Sequence, residues 1–234
     1  LEERTRDVAE YWRRANLTPA SNVQFGEGGA GAYSDGKLTT RVKDRRKEWV
    51  LSAIAAAGGG ESVLIDSKPH LGTGRLRTVV KSLRALLLSR GVEFSFNTYV
   101  DDLHLVNGEV RGVATADGPI EAEAVFLAAG HSSRDLALNL ARAGVLLEAK
   151  GFAVGVRIEL PQEAVNLAQY GEFCHMQGLP PAEFVLRERG IEGRGVYSFC
   201  MCPGGTVVPA GTEPDGVVVN GMSGTARSGR FANS

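Results

Sequence analysis

The 234-residue sequence predicts an α/β architecture whose second part is rich in strands. Three observations predict it. Residues 74–90 place Leu76, Val79, Val80, Leu83, Leu86 and Leu87 at helical spacing between basic residues. Residues 92–115 alternate in short runs around an Asn107-Gly108 turn, the pattern of an antiparallel meander. Residues 124–129 form a continuous apolar run ending in Ala129-Gly130, as in a strand buried on both faces of a parallel sheet.

The elements follow in order. Val8, Tyr11, Trp12 and Ala15 recur at helical spacing, so residues 1–17 read as an amphipathic helix ended by Pro19. A glycine-rich loop over residues 26–37 comes next. The basic run from Arg41 to Lys47 is broken by Asp44 and reads as a solvated loop or helix start. Residues 48–57 form an Ala-rich helix stopped by Gly58, Gly59 and Gly60, and residues 63–65 are a short apolar run. The helix over 74–90 is capped by Gly91. Strands are expected at 92–96, 99–106, 110–115 and 124–129, with a second turn at Asp117-Gly118. Ser132 and Asp135 have capping-box spacing ahead of a helix that carries Leu136 and Leu140 and ends at Gly144. From residue 151 the texture becomes strand-rich, with strands expected at 152–160, 196–201, 206–209 and 217–219. These shifts put a domain boundary near residue 150.

Composition bounds the function. With 26 basic and 27 acidic residues the formal charge is −1, which gives no electrostatic case for binding nucleic acid or an anionic membrane surface. No apolar run approaches the ~20 residues that cross a bilayer. The three cysteines are an odd number, which argues against a disulfide framework and for the cytoplasm or another reducing soluble compartment. His70 has no second His or Cys at metal-ligand spacing, and no metal is expected.

The loop over residues 26–37 concentrates glycine with a hydroxyl, a carboxylate and an ammonium, a composition suited to a phosphate-bearing ligand. Gly26, Gly28 and Gly31 spell G-x-G-x-x-G, yet Ser34, Asp35 and Gly36 oppose the helix that motif requires. Gly31, Gly36 and Lys37 spell G-x-x-x-x-G-K, but Leu38 stands where the magnesium-binding Ser or Thr belongs. A flexible surface loop is the plain alternative. Cys200 and Cys202 are two residues apart, so in a strand their thiols share a face. Packed free thiols, a redox dithiol and a pair of metal ligands are all open readings.

Five motifs in order then carry a resemblance: residues 26–31 with Ser34-Asp35-Gly36-Lys37-Leu38, Lys68-Pro69-His70, Ala128-Ala129-Gly130-His131-Ser132, residues 155–159, and residues 197–205. Together they resemble a family of predicted FAD-dependent dehydrogenases in the two-domain, glutathione-reductase-like group. The resemblance implies an incomplete FAD/NAD(P)-binding Rossmann-like domain with an antiparallel β-meander over residues 1–150, and a strand-rich α+β substrate domain over 151–234. It implies an internal fragment whose first βαβ turn lies upstream of Leu1, and which alone binds FAD poorly. It implies flavin contacts at Gly28, Gly29, Ala30, Gly31, Ser34, Asp35, Gly36 and Lys37, at Val100, and at Ala129 and Gly130.

The resulting expectation is an FAD-dependent oxidoreductase that moves hydride or electrons between flavin and a small organic molecule, with NADH or NADPH as an electron donor. Lys37, His131, Cys200 and Cys202 are the candidate catalytic residues. An NTPase-like use of the loop over residues 31–37, and a flavoprotein-like binding module without chemistry, are the alternatives. Substrate and oligomeric state are not legible.

Overall fold

The computed structural model describes residues 1–40 and 42–234, so Arg41 of the basic run lies outside the described residues. The chain divides into two compact units, one made of Leu1–Leu87 with Gly155–Ser234 and the other of Leu88–Val154. The segment before residue 88 packs with the C-terminal segment.

In the first unit, helix α1 (Glu2–Arg14) carries acids in its first turn and arginines in its last, each sign favourable to the helix dipole. Ala15 ends it, ahead of Pro19, by entering the left-handed region at φ 56° and donating its N–H to the Tyr11 carbonyl. Helix α2 (Arg46–Ile54) widens into a π turn over Ala55–Gly59, and Gly58 and Gly60 take positive φ. The apolar run after them is one helical turn, α3 (Ser62–Ile65). The long helix α4 (Gly72–Ser89) lies where its apolar period predicts. Its buried face joins two clusters: Val79 with Val63 and Leu71, and Val80 against Val8, Val23, Ala32 and Tyr33.

The C-terminal segment of this unit pairs strand β4 (Glu159–Pro161) with the last strand, joins β5 (Arg187–Arg189) to β6 (Gly195–Tyr197), and joins β7 (Thr206–Pro209) to β8 (Val219–Met222). The last strand is β9 (Phe231–Asn233). Helix α6 (Gln162–Tyr170), which lies between β4 and β5, stands in a stretch expected to hold only strands and turns. Pro161 before it and Gly171 after it are ordinary helix punctuation. Two expected strands are shorter than foreseen. Only the end of 152–160 finds a partner, and the strand expected over 196–201 ends at Tyr197, ahead of the left-handed backbone at Cys200. Val165, Ala182, Met201 and Ala232 form the local core.

The second unit holds the meander, with strands β1 (Val100–Val106), β2 (Glu109–Thr115) and β3 (Gly118–Glu121) in that spatial order. Asn107 and Gly108 both take positive φ, as a two-residue hairpin turn that follows the strand twist requires. The meander therefore starts one strand later than expected. Residues 92–96 are not a strand, and the third strand follows the Asp117-Gly118 turn. The buried strand expected at 124–129 is absent: the segment is irregular and Phe126 is 95% exposed. A strand exists by hydrogen bonding to neighbours, and this segment pairs with none of β1–β3. Helix α5 (Arg134–Arg142) starts from Ser133, one residue later than the capping box predicts, and without a side-chain cap.

All strand pairings among the described residues are antiparallel. The mixture of helices and small sheets is compatible with an α/β class. No helix among the described residues is long and apolar enough to cross a membrane.

Candidate functional site

The glycine-rich loop is organised from inside by a residue distant from its own motif. Arg4 of α1 is 3% exposed, and its guanidinium donates to the carbonyls of Asn22, Val23, Gly26, Glu27 and Gly29 at 2.7–3.3 Å. A planar fork of five N–H groups suits this task, because the folded-back loop presents carbonyls from several directions. The same guanidinium lies 4.7 Å from the ring centroid of buried Tyr33, and Arg77 lies 4.4 Å from it. Gly28 and Gly29 take φ of 86° and 57°, and the space beyond the Gly29 Cα is open. Glycine is required here by backbone conformation, and it leaves a bare face. Ala30 and Gly31 belong to a short 3₁₀ turn, Ala30–Tyr33. Neither spelled motif has its structural context, since no strand precedes the loop and no α-helix opens at Lys37.

Beyond the turn, the loop runs into a buried charge cluster. Leu71 donates its N–H to the Gly36 carbonyl and Leu38 to the Pro69 carbonyl, which brings Lys37 opposite His70. A Cβ on Gly36 would sit 2.7 Å from the Gly72 nitrogen, so glycine is what allows this approach. Asp35, 1% exposed, is the centre. His70 Nε2 lies 3.0 Å from Asp35 Oδ1, the Ser223 hydroxyl donates to the same oxygen, and Arg227 (3.1 Å) and Lys37 (3.3 Å) pair with Oδ2. Burial, the largest single influence, pushes the Asp35 carboxyl up. The hydrogen bonds from His70 and Ser223, with the charges of Lys37 and Arg227, outweigh it and hold the carboxyl well below the usual carboxylate range. Arg227 also pairs with Glu183 at 2.7 Å, while its buried Nε has no hydrogen-bond partner among the described residues.

Lys37 reaches across to donate to the Met201 carbonyl, between Cys200 and Cys202. Cys200 is exposed and Cys202 fully buried, with the Cys202 thiol 3.7 Å from the Cys200 carbonyl oxygen. The two thiols do not lie on a plain strand, because the left-handed backbone at Cys200 turns the chain between them. Of the sequence-predicted residues, Ser34, Asp35, Gly36, Lys37, Cys200 and Cys202 gather in this one region.

The remaining expected residues belong to the second unit. Val100 opens β1. Ala129 and Gly130 line a concavity of about 320 Å³ with Leu127, Leu136 and Leu140. His131 is exposed, with Ser132 Oγ at 3.5 Å from its Nε2.

Sequence reasoning missed Arg4, Ser223 and Arg227. Nothing in their local sequence marks them, since their partners lie up to 192 residues away. His70 stands within the Lys68-Pro69-His70 motif, where nothing local marks its pairing with Asp35.

Residues 151–234 match the family model described as FAD-dependent protein, C-terminal domain-like. Over these residues the chain is similar to an FAD-dependent protein family. It is 45% identical over 235 residues to an uncharacterized protein of Clostridium beijerinckii, a match that covers all of this chain and 44% of that one. It is 37% identical over 87 residues to the D-amino acid dehydrogenase of Paramagnetospirillum magneticum, covering 37% of this chain and 21% of that protein. With the D-amino acid dehydrogenase of Rhizobium rhizogenes the identity is 24% over 183 residues, covering 69% and 44% respectively. The chain thus spans less than half the length of these relatives. The family-matching segment supplies Met201, Ser223 and Arg227 to the cluster around Asp35.

Proposed function

We propose that this chain is part of an FAD-dependent dehydrogenase. The observation that carries the reading is the convergence on Asp35: the glycine-rich loop delivers Asp35 and Lys37, and the segment that matches the FAD-dependent family closes on them with Ser223 and Arg227.

The residues present fit a flavin dinucleotide. The bare face at Gly29 leaves room for close approach of a ligand. Lys37 and Arg227 are cations, and the unpartnered buried Nε of Arg227 is a donor with hydrogen-bonding capacity left over. Gly28, Gly29, Ala30, Gly31, Ser34 and Gly36 would hold the flavin and its pyrophosphate. Bound FAD would supply a two-electron acceptor. Asp35 fixes the position of Lys37 and Arg227, and these two side chains would supply donors to an anionic part of the cofactor without standing as unpaired cations. The D-amino acid dehydrogenases among the relatives support a substrate oxidised at a carbon bearing an amine, with NADH or NADPH as the alternative electron donor.

The test uses the full-length protein. Stoichiometric FAD, yellow colour and bleaching of the flavin band under anaerobic addition of one compound from a panel of D-amino acids, NADH and NADPH are expected. A colourless preparation whose titration with FAD quenches no flavin fluorescence would sink the reading. Stable FAD binding with no bleaching by any compound would leave a binding module and refute the dehydrogenase.

A further inference from the structure

We propose that Cys200 and Cys202 are a reversible dithiol that exchanges with low-molecular-weight disulfides, Cys200 attacking and Cys202 resolving. The geometry divides the roles. Cys200 is exposed, so its sulfur can meet a small disulfide from solvent. Cys202 has no exposed surface, and reciprocal backbone hydrogen bonds with Asn233, at 2.7 and 3.1 Å, hold it in place. Behind it Gly221 packs so closely that an added Cβ would lie 2.7 Å from the Cys202 sulfur. The left-handed backbone at Cys200 turns the chain back, and the Cys202 thiol already lies 3.7 Å from the Cys200 carbonyl. One thiol therefore faces the reagent, and the other is fixed next to the first.

The surrounding charges suit the same division. Four groups bear on Cys200: Cys202, Lys37, Arg157 and Asp35. The hydrogen bond from the Cys202 thiol acts most strongly, burial opposes it, Lys37 and Arg157 assist it and Asp35 works against it, leaving the Cys200 thiol lowered to about 6. Cys202 is pushed the other way, by its hydrogen bond to Cys200 and by burial, and stays protonated. A thiol with its pKa near ambient pH is the best attacker, because it is ionised without losing its nucleophilicity.

The exchange balances in two steps. The Cys200 thiolate attacks one sulfur of R–S–S–R, forming a Cys200–S–S–R bond and releasing RS⁻, which takes a proton from water. Cys202 then attacks the Cys200 sulfur, forming the Cys200–Cys202 disulfide and releasing the second RS⁻, which takes up the Cys202 proton. Two protein thiols are oxidised and one small disulfide becomes two thiols. No flavin takes part, so this inference does not depend on the proposed cofactor.

The test treats native full-length protein with 4,4′-dithiodipyridine and maps the tryptic fragment of residues 195–227, which holds both cysteines and excludes Cys174. Expected is a fragment without label, lighter by two hydrogen atoms and restored by dithiothreitol. With Cys202→Ser the label stays on Cys200. With Cys200→Ser the native protein reacts at least about tenfold more slowly at this fragment. In wild-type protein the alkylation rate of Cys200 by iodoacetamide should rise through a midpoint near 6. Lys37→Gln should move that midpoint upward. Stable label on either cysteine of the wild-type protein, or an unreactive Cys200, overturns the proposal. That readout needs no variant to fold.

Discussion

Replacing Asp35 with Asn is the sharpest test of the charge cluster. Asn keeps the shape of the side chain and still accepts a hydrogen bond from Ser223, but it removes the negative charge that Lys37 and Arg227 face at 3.3 and 3.1 Å. Asp35 is 1% exposed, and Lys37 and Arg227 side chains are 20% and 15% exposed, so water cannot replace the lost carboxylate. Breaking a buried ion pair from one side costs about 3–5 kcal/mol, because the partner charge is left uncompensated. For a unit of this size the cost lowers the melting midpoint by on the order of 10 °C. Differential scanning calorimetry of the full-length protein would measure it. Adding Lys37→Met to Asp35→Asn should recover part of the loss, since Arg227 keeps Glu183 while Lys37 is the cation left without a carboxylate. A loss below about 1 kcal/mol, or a second substitution whose cost simply adds, would refute the claim that Asp35 is a charge-balancing centre.

Three further outcomes follow from the same geometry. Because the Asp35 pKa is lowered in the folded state, its contribution to stability is complete above the unfolded value near ~4 and fades as pH falls through the folded one; Asp35→Asn should remove that acid limb from a stability–pH profile. Arg4→Lys should destabilise the first unit by roughly 2 kcal/mol or more, read by urea denaturation, because an ammonium cannot reach five divergent carbonyls. Gly204→Ala should prevent native packing, since its Cβ would stand 1.8 Å from the Arg227 carbonyl oxygen at a φ of 53°; greatly raised protease sensitivity is the readout, and wild-type resistance would count against the placement of the residues around Arg227.

The sequence was most legible where structure is local. The period of α4, the Asn107-Gly108 turn and the glycine stop after α2 need only neighbours within a few residues, so pattern and turn chemistry decide them. It was least legible where a segment depends on a partner. Residues 124–129 have the composition of a buried strand but pair with none of β1–β3, and composition cannot supply a partner. Helix α6 was hidden by the strand-like texture around it, although Pro161 and Gly171 marked its ends. The candidate site divides in the same way. Its loop half was visible as a cluster of glycine, Asp35 and Lys37, whereas Arg4, Ser223 and Arg227 reach it across the fold and carry no local signature.

The reach of Asp35 also sets an order of events during synthesis. Ser223 follows it by 188 residues, so at cellular translation speeds on the order of ten seconds or more separate the appearance of this carboxylate from that of its buried hydroxyl partner. Throughout that interval the complete Leu88–Val154 stretch is made, while the glycine-rich loop stays hydrated and without its closing wall. The charge cluster therefore forms only after the Leu88–Val154 stretch has been made. It marks the moment when the first and last segments of this chain become one unit.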